Sequence, residues 1–170
     1  YGRLMLEVVT PESSIFAFSA ASFSALFAAE NATVSISGST VSFDGNQAKR
    51  GGAVYDGGVM SVTNGSMTAN VATEAGGAVY VADNLRFSMS GGSIKDGNKS
   101  PEGAVSTGDG ATLAFSGNSV VTGNADSAGS VAMNVYLGYD SNSVITTSGL
   151  GASANIGVYV ADGKPEDDSV

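Results

Sequence analysis

Cysteine, histidine and tryptophan are absent from this 170-residue chain, and each absence removes a class of function. Without cysteine there is neither a disulfide framework nor a thiolate metal site. Without histidine the usual general base and the commonest transition-metal ligand are gone. Charge is scarce as well, at 14% of residues, and it is unbalanced: 7 basic against 16 acidic side chains give a net charge of −9. Phosphate neutralisation dominates nucleic-acid affinity, so a surface of this sign excludes nucleic acid as a partner. Long hydrophobic runs are missing too. The most apolar stretch, at 14–29, carries four serines and falls short of the ~20 apolar residues that a spanning helix needs. Glu7 and Glu12 precede it, which argues against a signal-peptide core, and no membrane span is expected.

What remains is 42% hydrophobic and contains 24 glycines. Serine, threonine, asparagine, valine and alanine supply much of the rest, a composition of strands and turns rather than of a helical bundle. The length fits one domain or one solenoidal unit with a packed core.

The dominant pattern is a repeat. GGAVY stands at Gly51–Tyr55 and again at Gly76–Tyr80, with degraded versions of the same slot starting at Glu102, Ala132 and Asn155. Five units follow, at 31–57, 58–84, 85–110, 111–142 and 143–163. Each holds three short β-type runs separated by turn residues such as Gly91-Gly92, Gly97-Asn98 and Asp109-Gly110. A unit this short cannot bury a hydrophobic face alone. Stacked on its neighbours, with each coil adding one strand to three parallel sheets ~4.8 Å from the last, it makes a parallel β-helix.

Period-two alternation assigns the side chains. Val34 and Ile36, Met60 and Val62, Phe87 and Met89, Leu113 and Phe115 are the inward ladders of the first strand. Val54, Val79, Val105, Val135 and Val158 are those of the GGAVY strand, with Val81, Leu137 and Val160 two places on. Tyr55, Tyr80, Tyr136 and Tyr159 then point outward, with Ser106 interrupting the row. Asn46, Asn70, Asn98 and Asn124 form a stack that closes the turn before each GGAVY strand. Residues 1–30 depart from the pattern: Ile15, Phe16, Phe23, Leu26 and Phe27 match one face of a helix. An N-terminal cap, either a helix or an irregular first coil, is the expectation there. The charged residues 164–170 read as a tail or the start of a further segment.

The GGAVY box, the boxes NGSMTAN, GGSIKDGN and NSVVTGN, and their order resemble the repeats of polymorphic outer-membrane proteins and adhesin-like bacterial surface proteins. The likeness covers about 31–163. It implies a right-handed all-β solenoid of about five coils, an extracellular or cell-surface location, and a role as adhesin or structural stalk. Fold alone does not decide function, because β-helices also include pectate-lyase-like enzymes and ice-binding proteins.

Four chemistries follow from the residues. Asp56, Asp83, Asp109, Asp140 and Asp162 each follow a GGAVY slot, and stacked carboxylates of this kind are calcium ligands in other proteins. The alternative, which the neighbouring Gly and Asn favour, is that they are turn formers. Glycoside hydrolysis needs two acids about 5–10 Å apart beside a groove. Here the outward positions are mostly Ser, Thr and Ala, the arginines are only Arg3, Arg50 and Arg86, and no loop is long enough to wall a groove. The tyrosine row is a surface for sugar rings, or else a self-stacking device of the sheet. Ice binding needs a regular Thr-x-Thr ladder, which is lacking. The expectation is a non-enzymatic module without a cofactor, whose partner is a glycan or protein of a host or neighbouring cell, with end-to-end self-association as a further mode. A carbohydrate-binding or carbohydrate-active β-helix is the alternative.

Overall fold

A computed structural model describes residues 5–8, 15–18, 22–23, 25–139 and 141–161. After β1 (Met5–Val8), a first coil is made by β2 (Ile15–Phe18), β3 (Ser22–Phe23) and β4 (Ala25–Ala28). The second and third coils have four strands each: β5 (Thr33–Ile36), β6 (Ser42–Asp44), β7 (Gln47–Arg50), β8 (Val54–Asp56), then β9 (Val59–Val62), β10 (Ser66–Thr68), β11 (Val71–Ala75), β12 (Val79–Val81). Three-stranded coils complete the chain: β13 (Arg86–Met89), β14 (Ser93–Lys95), β15 (Val105–Thr107); β16 (Thr112–Gly117), β17 (Val120–Thr122), β18 (Val135–Leu137); β19 (Val144–Leu150), β20 (Asn155–Ile156), β21 (Val158–Val160).

Equivalent strands of successive coils pair in parallel. β2, β5, β9, β13, β16 and β19 form one sheet, and β3, β6, β10, β14, β17 and β20 a second. The third is β1, β4, β8, β12, β15, β18 and β21. A short corner sheet of β7 and β11 stands between the second and third. The protein is a parallel β-solenoid in which the first coil is followed by five further turns, and the described residues contain no helix.

Register explains why alternation was a sufficient guide to the core. Val34, Met60, Phe87 and Leu113 stand in one row and Ile36, Val62, Met89 and Phe115 in the next, all buried. Phe43, Met67, Ile94 and Val121 make the matching row of the second sheet. Val158 and Val160 differ from expectation. They are in register with Val135 and Leu137 but are 50% and 58% exposed, because among the described residues β21 has a strand neighbour on one side only.

The helical alternative for the N-terminal segment is corrected. β2 pairs with β5, β3 with β6, and β4 with both β1 and β8. Phe16 and Phe18 fall in register with Val34 and Ile36, so a period of two, not 3.6, organises the segment. Residues 164–170 lie outside the described residues.

Each glycine of the GGAVY pair answers a different constraint. Gly51 and Gly76 have φ of +62° and +64°, a conformation that costs a residue with a Cβ. The following glycine is needed for space: a Cβ on Gly77 would stand 2.6 Å from the backbone nitrogen of Lys99 in the next coil. The nearest atoms it would meet are all backbone of Lys99, which leaves nothing soft to yield. Gly77→Ala is expected to lower stability by about 2 kcal/mol, read as a fall in the urea midpoint; an unshifted midpoint would mean that the coils separate at no cost.

The asparagine stack closes the corners as anticipated and runs one residue further. Asn46 Nδ2 donates to Asn70 Oδ1 (2.9 Å), Asn70 to Asn98 (2.9 Å), Asn98 to Asn124 (2.8 Å), and Asn124 to Asn134 (3.1 Å). Asn134 enters the ladder because the long fifth coil brings it beside Asn124 ten residues later in the chain. Solenoid turns of this kind have buried backbone groups that no strand partner reaches, and the amides satisfy them. Asn70, Asn98 and Asn124 donate to the carbonyls of Phe43, Met67 and Ile94.

Candidate binding groove

The corner strands set one wall of a groove and the third sheet sets the other. Lys49 and Arg50 end β7, Glu74 lies near the end of β11, and the positive-φ glycine after each strand turns the chain into β8 or β12. Phe27, Tyr55, Tyr80 and Ser106 stand in one cross-coil row on the outward face of the third sheet. Between the walls lies a hollow of about 410 Å³, lined by Ala25, Leu26, Phe27, Tyr55 and the corner residues Ala48–Gly51 and Glu74.

The aromatic row divides into a triplet and a pair. Phe27 and Tyr55 stack with centroids 5.0 Å apart and planes at 14°, and Tyr55 leans on Tyr80 at 5.5 Å and 31°. Tyr136 and Tyr159 stack separately at 5.9 Å and 11°. Ser106 fills the break, fully buried, its hydroxyl donating to Glu102 Oε2 at 3.0 Å. Tyr80 points out of the sheet yet is only 7% exposed, because the Arg50 guanidinium covers its ring at 5.2 Å. Burial pushes the Tyr80 phenol above its usual range against the opposing pull of Arg50, so it stays a protonated donor at neutral pH.

Arg50 is held from its other side by Glu74, Nε to Oε2 at 3.1 Å, and Lys49 approaches Glu74 Oε1 at 3.8 Å. Phe27, Arg50 and Glu74 are the groove residues that sequence reasoning missed. A signal existed: Lys49 and Glu74 each precede their glycine pair by the same offset, so stacking places opposite charges side by side. Glu74, Glu102, Arg50, Tyr80 and Thr107 also line an adjoining hollow of about 220 Å³.

Among the described residues, Asp56, Asp83 and Asp109 do not form one cluster. Asp83 Oδ1 accepts the Asp109 N–H (3.1 Å), and Asp109 Oδ1 accepts the N–H and Nδ2 of Asn142 (2.9 and 3.1 Å), so these two are turn rungs between coils. The bonds from Asn142 hold the Asp109 carboxyl below its usual range. Asp56 is elsewhere: it stands in the inward row between Ala28 and Val81, fully buried. Asp140 and Asp162 lie outside the described residues. No group of three acids placed to hold a metal ion occurs among the described residues.

The outward face of the first sheet carries hydroxyls, with Ser61, Thr63, Ser88, Ser90 and Ser116 around a hollow of about 250 Å³. Its rows are interrupted by Val59, Arg86 and Ala114. Among the described residues no helix is long and apolar enough to cross a membrane.

The family model described as the Chlamydia polymorphic membrane protein (Chlamydia_PMP) repeat matches residues 40–57. The second coil is similar to that repeat. The matched stretch runs from β6 through β7 and the glycine pair into β8, and so contains the Arg50 and Tyr55 walls of the groove. No curated protein and no solved structure matches the chain.

Proposed function

We propose that the chain is a non-enzymatic β-helix module of a bacterial cell surface, a stiff stalk with one adhesive face. The observation that carries this reading is the stacked pair Phe27 and Tyr55 lining the 410 Å³ hollow with Arg50 and Glu74, continued by Tyr80 under the Arg50 guanidinium. Aromatic rings flanked by a paired guanidinium supply what surface recognition uses most: large rigid contact area with fixed polar donors. The repeat similarity at 40–57 supports a membrane- or surface-associated setting, and an extracellular position follows from the adhesive role. Ligands of this face are a glycan or protein on a host or neighbouring cell.

Binding of the labelled module to glycan arrays and to whole cells tests the reading. Tyr55→Ala is expected to lower retained binding at least tenfold, while Tyr136→Ala, in the separate pair, leaves it unchanged. Equal retention by wild type and Tyr55→Ala would sink the adhesive face.

A carbohydrate-active β-helix is the second reading, favoured by Glu74 and Glu102 lining one hollow with Arg50 and Tyr80. Against it, Glu74 is tied to Arg50 and Glu102 accepts the Ser106 hydroxyl. Release of reducing ends from a polysaccharide panel, abolished by Glu102→Gln, would decide for the enzyme.

A further inference from the structure

The corner sheet of β7 and β11 does not extend into the first coil, which the ladders beside it reach. β6 continues into the first coil by pairing with β3, and β8 by pairing with β4. β7, between them in the chain, has β11 as its single strand partner among the described residues. In the first coil one residue separates β3 from β4, which leaves no length for a corner strand. The gap beside β7 opens into the 410 Å³ hollow, with Ala25, Leu26 and Phe27 across from Ala48, Lys49 and Arg50.

Burial and hydrogen bonding both register the gap. In β11 the inward Ala72 is buried, whereas its register mate Ala48 is only half-buried and Gln47, Lys49 and Arg50 are exposed. Val71 sends its N–H to the Asn46 carbonyl of the preceding coil at 2.8 Å. Its register mate Gln47 turns its own N–H the same way, to the open edge, where no described residue accepts it. An unpaired edge of this kind is a template for another strand. Its charge is distinctive: on a chain of net charge −9, Lys49 and Arg50 stand side by side against the one carboxylate of Glu74, which binds Arg50 more closely and leaves a local excess of one positive charge. A basic segment is repelled there and an acidic one attracted.

We propose that β7 is a strand-addition edge that captures one extended, acidic segment of a partner protein. The segment matches the 4 residues of β7, sets an apolar side chain against Phe27 and Tyr55, and directs an acidic one to Lys49. This goes beyond the adhesive reading, since it holds equally for a stalk that is clasped by a neighbouring protein.

Fluorescence anisotropy of a fluorescein-labelled peptide alternating valine with aspartate tests it. Saturable binding is expected, at least tenfold weaker for the counterpart with lysine in place of aspartate. Gln47→Pro removes the outward N–H at the first position of β7, where proline is tolerated, and is expected to abolish binding without shifting the urea midpoint. Should that variant fail to fold, Lys49→Glu decides: it is expected to reverse the preference between the two peptides. No saturable binding, or a folded Gln47→Pro that binds like wild type, overturns the proposal. So does a dimer in sedimentation that Gln47→Pro dissolves, which would assign the edge to a second copy. A Gln47→Pro variant that loses peptide binding and keeps glycan or cell binding separates this edge from the adhesive face, because it leaves the aromatic wall intact.

Discussion

Asp56→Asn is expected to stabilise the protein by about 4 kcal/mol near pH 8.5 and by almost nothing near pH 4. Asp56 ends β8 with its side chain in the core row, between Ala28 and Val81. Its Oδ1 accepts the Gly58 N–H at 3.2 Å, and Oδ2 is buried without a hydrogen-bond partner. Loss of hydration raises the carboxyl to about 7, against which the Gly58 bond pulls only weakly. The folded state therefore holds this proton more tightly than the unfolded chain, where the pKa is about 3.9. Stability is greatest below about pH 4, falls as pH rises to about 7, and is flat above that. About three units at ~1.4 kcal/mol each give the quoted size. Asparagine keeps the acceptor for Gly58 and cannot ionise, so it copies the protonated form. Asp109 and Asp126, held low by hydrogen bonds from Asn142 and from Val131, act with the opposite sign as pH falls. They are common to both proteins and cancel in the difference. Urea midpoints of the two proteins measured across this pH range supply the check; a gap that does not change with pH would mean that Asp56 is hydrated.

The same residue shows how much was legible in the sequence. Asp56 directly follows Tyr55, as Val81 follows Tyr80, whereas Asp83 and Asp109 come later in their slots. Strict alignment on GGAVY already separates the core carboxyl from the turn carboxylates; grouping by distance from the box merged them. Inward rows were readable because close packing admits only apolar side chains there, and one alternation fixes a whole strand. The groove was less readable. Outward positions are free of that constraint, and the wall of Phe27, Arg50 and Glu74 draws on three separate coils and a corner strand whose direction the pattern did not specify. The first coil was left open between a helix and an irregular coil for a related reason. Runs of alanine and phenylalanine satisfy helical and strand spacing alike, and only pairing with Thr33–Ile36 selects the strand.

Asn98→Ala should cost about 5 kcal/mol, as much as cutting a large buried core side chain to alanine. Asn98 is fully buried, and its amide serves both neighbours. Oδ1 accepts the Asn70 N–H at 3.0 Å and Nδ2 at 2.9 Å; Nδ2 donates to Met67 O at 3.0 Å, Lys95 O at 2.9 Å and Asn124 Oδ1 at 2.8 Å. Alanine leaves two donors of Asn70 facing no acceptor and strips a donor from buried oxygens, at about 1–3 kcal/mol for each stranded group. Asn98→Asp is worse, since it aims a carboxylate at three acceptor oxygens while still serving Asn70. Asp44→Ala is the contrasting case. It removes another cross-coil bond, Thr68 Oγ1 to Asp44 Oδ1 at 2.6 Å, but an exposed one, and water replaces the lost partner for less than about 0.5 kcal/mol. Urea midpoints for the three variants rank them directly. If Asn98→Ala and Asp44→Ala fall together, water reaches the asparagine ladder and the corner is not the sealed seam that its burial describes. If they separate as expected, the repeat is held at its corners by a continuous chain of amides, in which each coil completes the hydrogen bonds of the coil before it.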